Sequence, residues 1–251
     1  NANVHIGGSA KITNNKSGNG GAFYVKNDTR LTIDGNAVIE GNESSRNGGA
    51  IYACVGSKES EKPSAVEIGG SAKIRGNKAT GYGKGGAIYI KSGGTVNIYG
   101  GTIKNNHVYS GSGGAIYVEN GGTLNLYGGT ITDNTASDLG GGIYVEEGGT
   151  LKIQGAPVVT GNTAGGKDSN VYVCVDSTNP LLTISGELTD GAKLGVSTNA
   201  SYPALLAGTQ QDYSTYFTPD DPDAFVLFSS SALTLCAKPS ATLNGTELTV
   251  T

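Results

Sequence analysis

A tyrosine flanked by apolar residues and preceded by small ones returns six times along this chain at nearly the same interval. No other feature constrains the fold as much. The tyrosines are Tyr24, Tyr52, Tyr89, Tyr117, Tyr144 and Tyr172, with spacings of 28, 37, 28, 27 and 28 residues. One period therefore holds about 28 residues, and a single copy carries a nine-residue polar insertion within Val55 to Pro63. Each period contains three short alternating apolar runs separated by glycines, and no stretch shows a helical stripe of period 3.6. A unit of this size cannot bury its apolar face alone; stacking successive copies gives a continuous core. The expected fold is all-β: a single-chain parallel β-helix with three strands per coil, right-handed because parallel crossovers almost always are.

The alternation assigns faces. Ile116 and Val118 point inward with their equivalents, leaving Ala115, Tyr117 and Glu119 outward. Val96/Ile98, Leu124/Leu126 and Leu151/Ile153 fill the second strand's inner face, and Ile12, Ile39, Ile74, Ile103, Ile131 and Val159 stack in the third. Three residues after each of these comes an asparagine: Asn15, Asn42, Asn77, Asn106, Asn134 and Asn162. That register predicts a structural ladder, because asparagine tolerates left-handed turns and its amide can bond both the turn backbone and the next coil's amide.

The 42 glycines serve the turns, and the repeat assigns residues 1–198 to the β-helix. Beyond Thr198 the glycine pairs vanish, three of the four phenylalanines appear, and apolar runs at 225–228, 232–235 and 247–250 suggest strands. Residues 199–251 are expected to form a β-rich C-terminal cap that shields the last coil's open edge. The pattern is already under way at Val4, so more β-helix or another domain is expected upstream in a longer precursor.

A net charge of −4 and a pI near 5.2 give no footprint for nucleic acid, and no apolar stretch of transmembrane length indicates direct membrane insertion. Of the three cysteines, Cys54 and Cys174 both follow a repeat tyrosine by two residues, four coils apart. At about 4.8 Å per coil that is roughly 19 Å, beyond disulfide reach, so both read as small packing residues.

Gly113-Gly114-Ala115-Ile116 together with Ile131-Thr132-Asp133-Asn134 carries a family resemblance. The repeat resembles those of Gram-positive gut-anaerobe surface proteins and is similar to the passenger repeats of chlamydial polymorphic outer-membrane adhesins. The chlamydial repeats place phenylalanine before x-x-Asn where this chain has Ile or Val, which makes the Gram-positive type the nearer match. The resemblance covers about Val4 to Val196. It implies an extracellular, cell-surface or cell-wall-attached segment, often adhesive, whose partners are glycans or proteins of a host or neighbouring cell.

Catalysis has few candidates. Many β-helices cleave polysaccharides, and the outward row two residues past the tyrosines holds Lys26, Cys54, Lys91, Glu119, Glu146 and Cys174. Glu119 and Glu146 on adjacent coils approach the separation of about 5 to 5.5 Å that a retaining glycosidase needs, but any two acids on adjacent coils would. A solvated Lys-Glu-Glu row is the plainer reading. His5 and His107 have no acid at a recognisable local spacing. Asp220, Asp221 and Asp223 offer oxygen ligands to a hard cation, yet an exposed acidic turn explains them as well, and no cofactor is expected.

The functional expectation is a non-catalytic adhesin or structural stalk segment, the alternative being a carbohydrate-binding or polysaccharide-active β-helix. Any ligand is expected along the tyrosine file, on Tyr24, Tyr52, Tyr89, Tyr117, Tyr144 and Tyr172 with Lys91, Glu119 and Glu146 at its rim.

Overall fold

A computed structural model describes residues 2–55, 63–174, 182–201 and 203–238, and the strand backbones of Ala241–Asn244 and Glu247–Val250. Most of the nine-residue insertion lies outside the described residues. The chain winds as a parallel β-solenoid. Its base ladder stacks seven strands in chain order: Ala2–Ile6, Thr29–Ile33, Ser64–Ile68, Gly94–Ile98, Thr123–Leu126, Thr150–Gly155 and Thr183–Leu188. Every neighbouring pair is parallel and, up to a register shift after Ile153 in the last pair, in repeat register, so Ile33, Ile68, Ile98, Leu126, Ile153 and Ile184 form one aliphatic file.

A second ladder stacks Ile12, Ile39, Ile74, Ile103, Ile131, Val159 and Leu194. The tyrosine-bearing strands form another, with Ile51, Ile88, Ile116, Ile143, Val171 and Val196 facing in. These files make one continuous aliphatic core, and Ile33, Ile74, Ile116 and Leu124 are among its fully buried side chains. At about 0.8 kcal/mol per buried methylene, this file-on-file contact is the main stabilising term of each coil.

Each coil but the last also has a fourth strand that the apolar pattern does not predict. It is two residues long, as in Lys78–Ala79 and Thr135–Ala136, and stacks in its own parallel ladder just after the asparagine corner. Two residues are too few for alternation to register in sequence.

The glycine pair that leads into each tyrosine strand has separate reasons at its two positions. Gly85 has φ +71°, and a Cβ on Gly86 would lie 2.2 Å from the Gly114 carbonyl oxygen of the next coil. Stacked backbones therefore admit only glycine there.

The alanine that follows corrects the expected alternation: Ala50, Ala87 and Ala115 are buried in the aliphatic core rather than facing outward. The Ala87 carbonyl accepts from both Ala50 and Ile51 N–H, at 2.8 and 2.9 Å. The alanine stands in the bend that leads into the strand, before the period of two begins at the next residue, so it and the following isoleucine both face inward.

The last coil omits the corner altogether. In Lys193–Thr198 the first residues pair with Val158 and Val159 and the last three with Val171–Val173, merging the two ladders through one straight strand. Phe217–Pro219 then lies parallel against Leu194–Val196. Ala204–Gly208, Ala232–Ala237 and Ala224–Ser229 form a three-stranded antiparallel sheet whose Leu206, Leu233 and Leu235 continue the solenoid's core. The described residues include no α-helix, and no helix is long and apolar enough to cross a membrane.

Candidate functional site

Two polar files run along the solenoid beside the core. In the asparagine file, each side-chain oxygen accepts from the backbone N–H and the side-chain amide of the preceding coil's asparagine. Asn77 N and Nδ2, for example, lie 3.0 and 2.9 Å from Asn106 Oδ1. The second amide hydrogen goes back to a carbonyl one coil earlier, as from Asn106 Nδ2 to Ile74 O at 3.1 Å. Asn42, Asn77, Asn106, Asn134 and Asn162 are fully buried, so this saturation is what makes their burial tolerable.

The left-handed residue is not the ladder asparagine. It is the residue before it: Asn14, Gly41, Gly76, Asn105, Asp133 or Gly161, with φ between 54° and 69°. The ladder asparagine is therefore selected for its amide alone.

The file extends two members beyond the repeat. Asn162 N and Nδ2 donate to Asn170 Oδ1 at 2.9 and 3.1 Å, and Asn170 N and Nδ2 donate to the two carboxylate oxygens of Asp220 at 2.7 and 2.6 Å. All the amides point the same way, nitrogens toward the C-terminal end, so the carboxylate sits at the positive end of an aligned row of dipoles. Burial pushes the Asp220 pKa up, opposed by the Asn170 hydrogen bonds. Gly195, in the strand that skips the corner, leaves the space: a Cβ there would lie 2.3 Å from Asn170 Nδ2 and 2.4 Å from Asp220 Oδ1.

Of the other acids weighed for a cation, Asp221 Oδ1 accepts from Asp223 N at 2.9 Å. Among the described residues no group of three or more His, Cys, Asp or Glu side chains is placed to hold a metal.

The tyrosine file lies outside the aliphatic core, and its rings stack. Centroid separations from Tyr24 through Tyr52, Tyr89, Tyr117 and Tyr144 to Tyr172 are 4.8, 5.1, 5.5, 4.8 and 5.8 Å, with interplanar angles of 3° to 24°. Offset stacking of this kind contributes about 0.5 to 1.5 kcal/mol per pair. Tyr52, Tyr89 and Tyr117 are only 3 to 6% exposed and form with Cys54 a second buried cluster, whereas Tyr24 at the N-terminal end is 54% exposed.

The rim residues serve the column. Tyr89 donates to Glu119 Oε1 at 2.5 Å. Glu146 accepts from Asn120 N at 3.2 Å and pairs with Lys84 at 3.8 Å, and its charge acts on the Tyr117 phenol; Lys84 Nζ lies 4.5 Å from the Tyr117 ring centre. Burial, reinforced by these carboxylates, raises the Tyr89 and Tyr117 pKa values far above the ordinary phenol range; Tyr52 and Tyr144 shift the same way, burial again leading. Lys84 stands on the loop before the glycine pair, and no local spacing links it to Glu146. The expected solvated Lys91-Glu119-Glu146 row is therefore divided: Lys91 is exposed near Tyr24, Glu119 accepts from a phenol and Glu146 pairs with Lys84.

None of the three cysteines forms a disulfide among the described residues. Cys174 Sγ lies 3.0 Å from the Tyr144 hydroxyl, and Cys54 Sγ donates to Tyr24 at 3.8 Å. His5 does have an acid partner, Asp34 at 2.8 Å, but one coil away, where a search for local spacing misses it. His107 sits against Thr135 and the edge of Tyr109, its pKa lowered first by burial and then by Lys78.

Each end of the tyrosine column opens into a pocket. At the N-terminal end Tyr24, Lys26, Tyr52, Cys54, Val55, Lys91 and Ser92 line about 330 Å³. At the other end Tyr172 shares about 350 Å³ with Asp138, Asp168, Asp220, Asp221 and Lys167. The column is thus basic at one mouth and acidic at the other.

A family model described as the Chlamydia polymorphic membrane protein (Chlamydia_PMP) repeat matches residues 31–54, 100–119 and 128–146. Each matched segment runs through an asparagine corner and on into a tyrosine strand, so the similarity falls on the two files that organise this solenoid. No curated protein and no solved structure matches the chain. The chain is similar, over these segments, to the chlamydial repeat.

Proposed function

We propose that this chain is a non-catalytic, surface-displayed segment of a larger secreted protein, serving as an adhesive stalk. The observation that carries this reading is the match of three segments to a membrane-protein repeat at its structural corners. The match is consistent with an adhesin-like surface protein segment. Further support comes from Glu119 and Glu146, the acids best spaced for glycoside hydrolysis. Glu119 accepts from the Tyr89 hydroxyl, and Glu146 pairs with Lys84 over the Tyr117 ring. The partners proposed are glycans or proteins of a host or neighbouring cell, and the location is extracellular, attached to a cell wall or surface.

The test immobilises the full chain on beads and measures adhesion to epithelial cells, matrix proteins and a glycan array, with a reducing-end assay on the same polysaccharides. Saturable adhesion without release of reducing ends is the expected result. Cleavage of any polysaccharide, or adhesion to none of the three surfaces, overturns the reading.

A further inference from the structure

We propose that the pocket at the N-terminal mouth of the tyrosine column binds an anionic saccharide, with one sugar ring on Tyr24 and its carboxylate or sulfate held by Lys26 and Lys91. This deepens the adhesive reading and rests on it for the protein's role, though not for the binding itself.

Three observations converge. Tyr24 presents the column's exposed outer ring here, and its stacking at 4.8 Å and 13° on the buried Tyr52 fixes the ring plane before any ligand arrives. A rigid aromatic face beside polar walls matches a pyranose, which has an apolar face and a hydroxyl rim, and a ring already held in place loses little freedom on binding.

The charges come next. Lys26 pairs in register with Cys54, and Lys91 N bonds Ala53 O in the same coil as Cys54, so the two lysines flank Cys54 one coil above and one below. Two coils span about 9.6 Å, which two flexible four-carbon stems can close around a single anionic group. Among the described residues neither ammonium lies in an ion pair, although the chain as a whole is acidic, with net charge −4. A local basic pocket on an acidic molecule selects an anion without making the whole surface adhesive for anions.

Size is the third. About 330 Å³, with Ser92 and Val55 supplying one polar and one apolar wall, falls in the range of small-ligand pockets. The opposite mouth, at Tyr172, offers the same aromatic chemistry but carries Asp138, Asp168, Asp220 and Asp221. Those carboxylates repel an anion, so binding is confined to one end.

The experiment titrates the full chain by calorimetry with three probes: a heparin-derived hexasaccharide bearing sulfate and uronate, a galacturonate hexamer bearing carboxylate only, and uncharged maltohexaose. Saturable binding of at least one anionic probe is expected, weakened by added salt, with none for maltohexaose. The two anionic arms separate sulfate from carboxylate recognition. Lys26→Gln/Lys91→Gln at unchanged melting temperature, and Tyr24→Ser in a chain that still folds but melts slightly lower for the loss of one stacked pair, should each weaken binding about tenfold or more, equivalent to at least 1.4 kcal/mol. Asp168→Asn/Asp221→Asn at the other mouth should leave it unchanged.

Failure of both anionic probes to bind, equal binding of maltohexaose, or full affinity in the double lysine variant overturns the proposal. Undiminished cell adhesion by that variant removes the pocket from adhesion and leaves the adhesive reading standing. Pocket binding by a chain that adheres to no surface has the opposite consequence.

Discussion

Replacing Asn106 by alanine tests the asparagine file at its centre. The side chain is fully buried and makes four hydrogen bonds: it accepts from Asn77 N and Nδ2 and donates to Ile74 O and Asn134 Oδ1. After truncation Asn134 Oδ1 still receives Asn106 N, and Asn77 Nδ2 still reaches Ile39 O. The Asn77 backbone N–H loses the acceptor that Asn106 supplied, while Asn77 Nδ2 and Ile74 O each lose one partner. One buried orphan at about 1 to 3 kcal/mol and two half-satisfied groups at about 0.5 to 1.5 each give a destabilisation of roughly 2 to 6 kcal/mol. Asn15→Ala is the internal control. Asn15 is exposed and its amide gives one bond to Asn42 Oδ1, which keeps the Asn15 N–H as a partner, so the cost should stay below about 1 kcal/mol. Guanidinium unfolding followed by circular dichroism measures both. A further check is the pair Asn106→Ala/Asn134→Ala, which should cost less than the sum of its parts because the two share a bond. Equal midpoint shifts for Asn106→Ala and Asn15→Ala, or strict additivity of the pair, would refute the reasoning.

Tyr117→Ala should cost about 3 to 5 kcal/mol, since it removes a buried ring stacked on both faces, whereas Tyr117→Phe, which keeps the stacked ring, should cost no more than about 1 kcal/mol; thermal melts distinguish the two. In an alkaline titration followed by phenolate absorbance, Tyr52, Tyr89, Tyr117 and Tyr144 should stay protonated past the ordinary value of 10.0. Their folded pKa values are raised, so the stability they contribute is complete below 10 and is lost as pH climbs toward the folded values, and ionisation should coincide with loss of the β signal. Gly195→Ala should destabilise the C-terminal end by driving a methyl group into Asn170 and Asp220, a change that limited proteolysis would detect as earlier cleavage beyond Val196. Asp220 has a raised folded pKa, so its contribution is complete below 3.8 and falls as pH rises through the folded value; Asp220→Ala should abolish that segment of the melting-temperature profile.

Much of this molecule is legible in its sequence because a solenoid converts a repeat length directly into a spatial neighbour. The 28-residue interval places Tyr89 beside Tyr117 and Asn106 beside Asn134 without any tertiary argument, and the aliphatic alternation of Leu124/Leu126 gives the inner face. Legibility ends where the chain departs from its own period. Asn170 lies eight residues after Asn162, and Asp220 fifty after Asn170, so no interval announces that they continue the file. The burial of Tyr52, Tyr89 and Tyr117 depends partly on corner residues such as Lys84, whose approach to Tyr117 is a matter of loop geometry rather than alternation. Ala50, Ala87 and Ala115 face inward because each lies in the bend before its strand, where the alternation read from the pattern has not yet begun.

The common orientation of the asparagine amides also governs what can join to what. Every coil offers amide N–H groups toward its C-terminal neighbour and an amide oxygen toward its N-terminal one, so two coils mate only tail to head, like links of a keyed chain. Two identical ends brought together would set oxygen against oxygen, or donor against donor. An exposed strand edge is ordinarily an open invitation to stack on its own kind. Here the buried amides give each coil a direction, and a second molecule approaching the same end the wrong way round meets a mismatch at the heart of the interface.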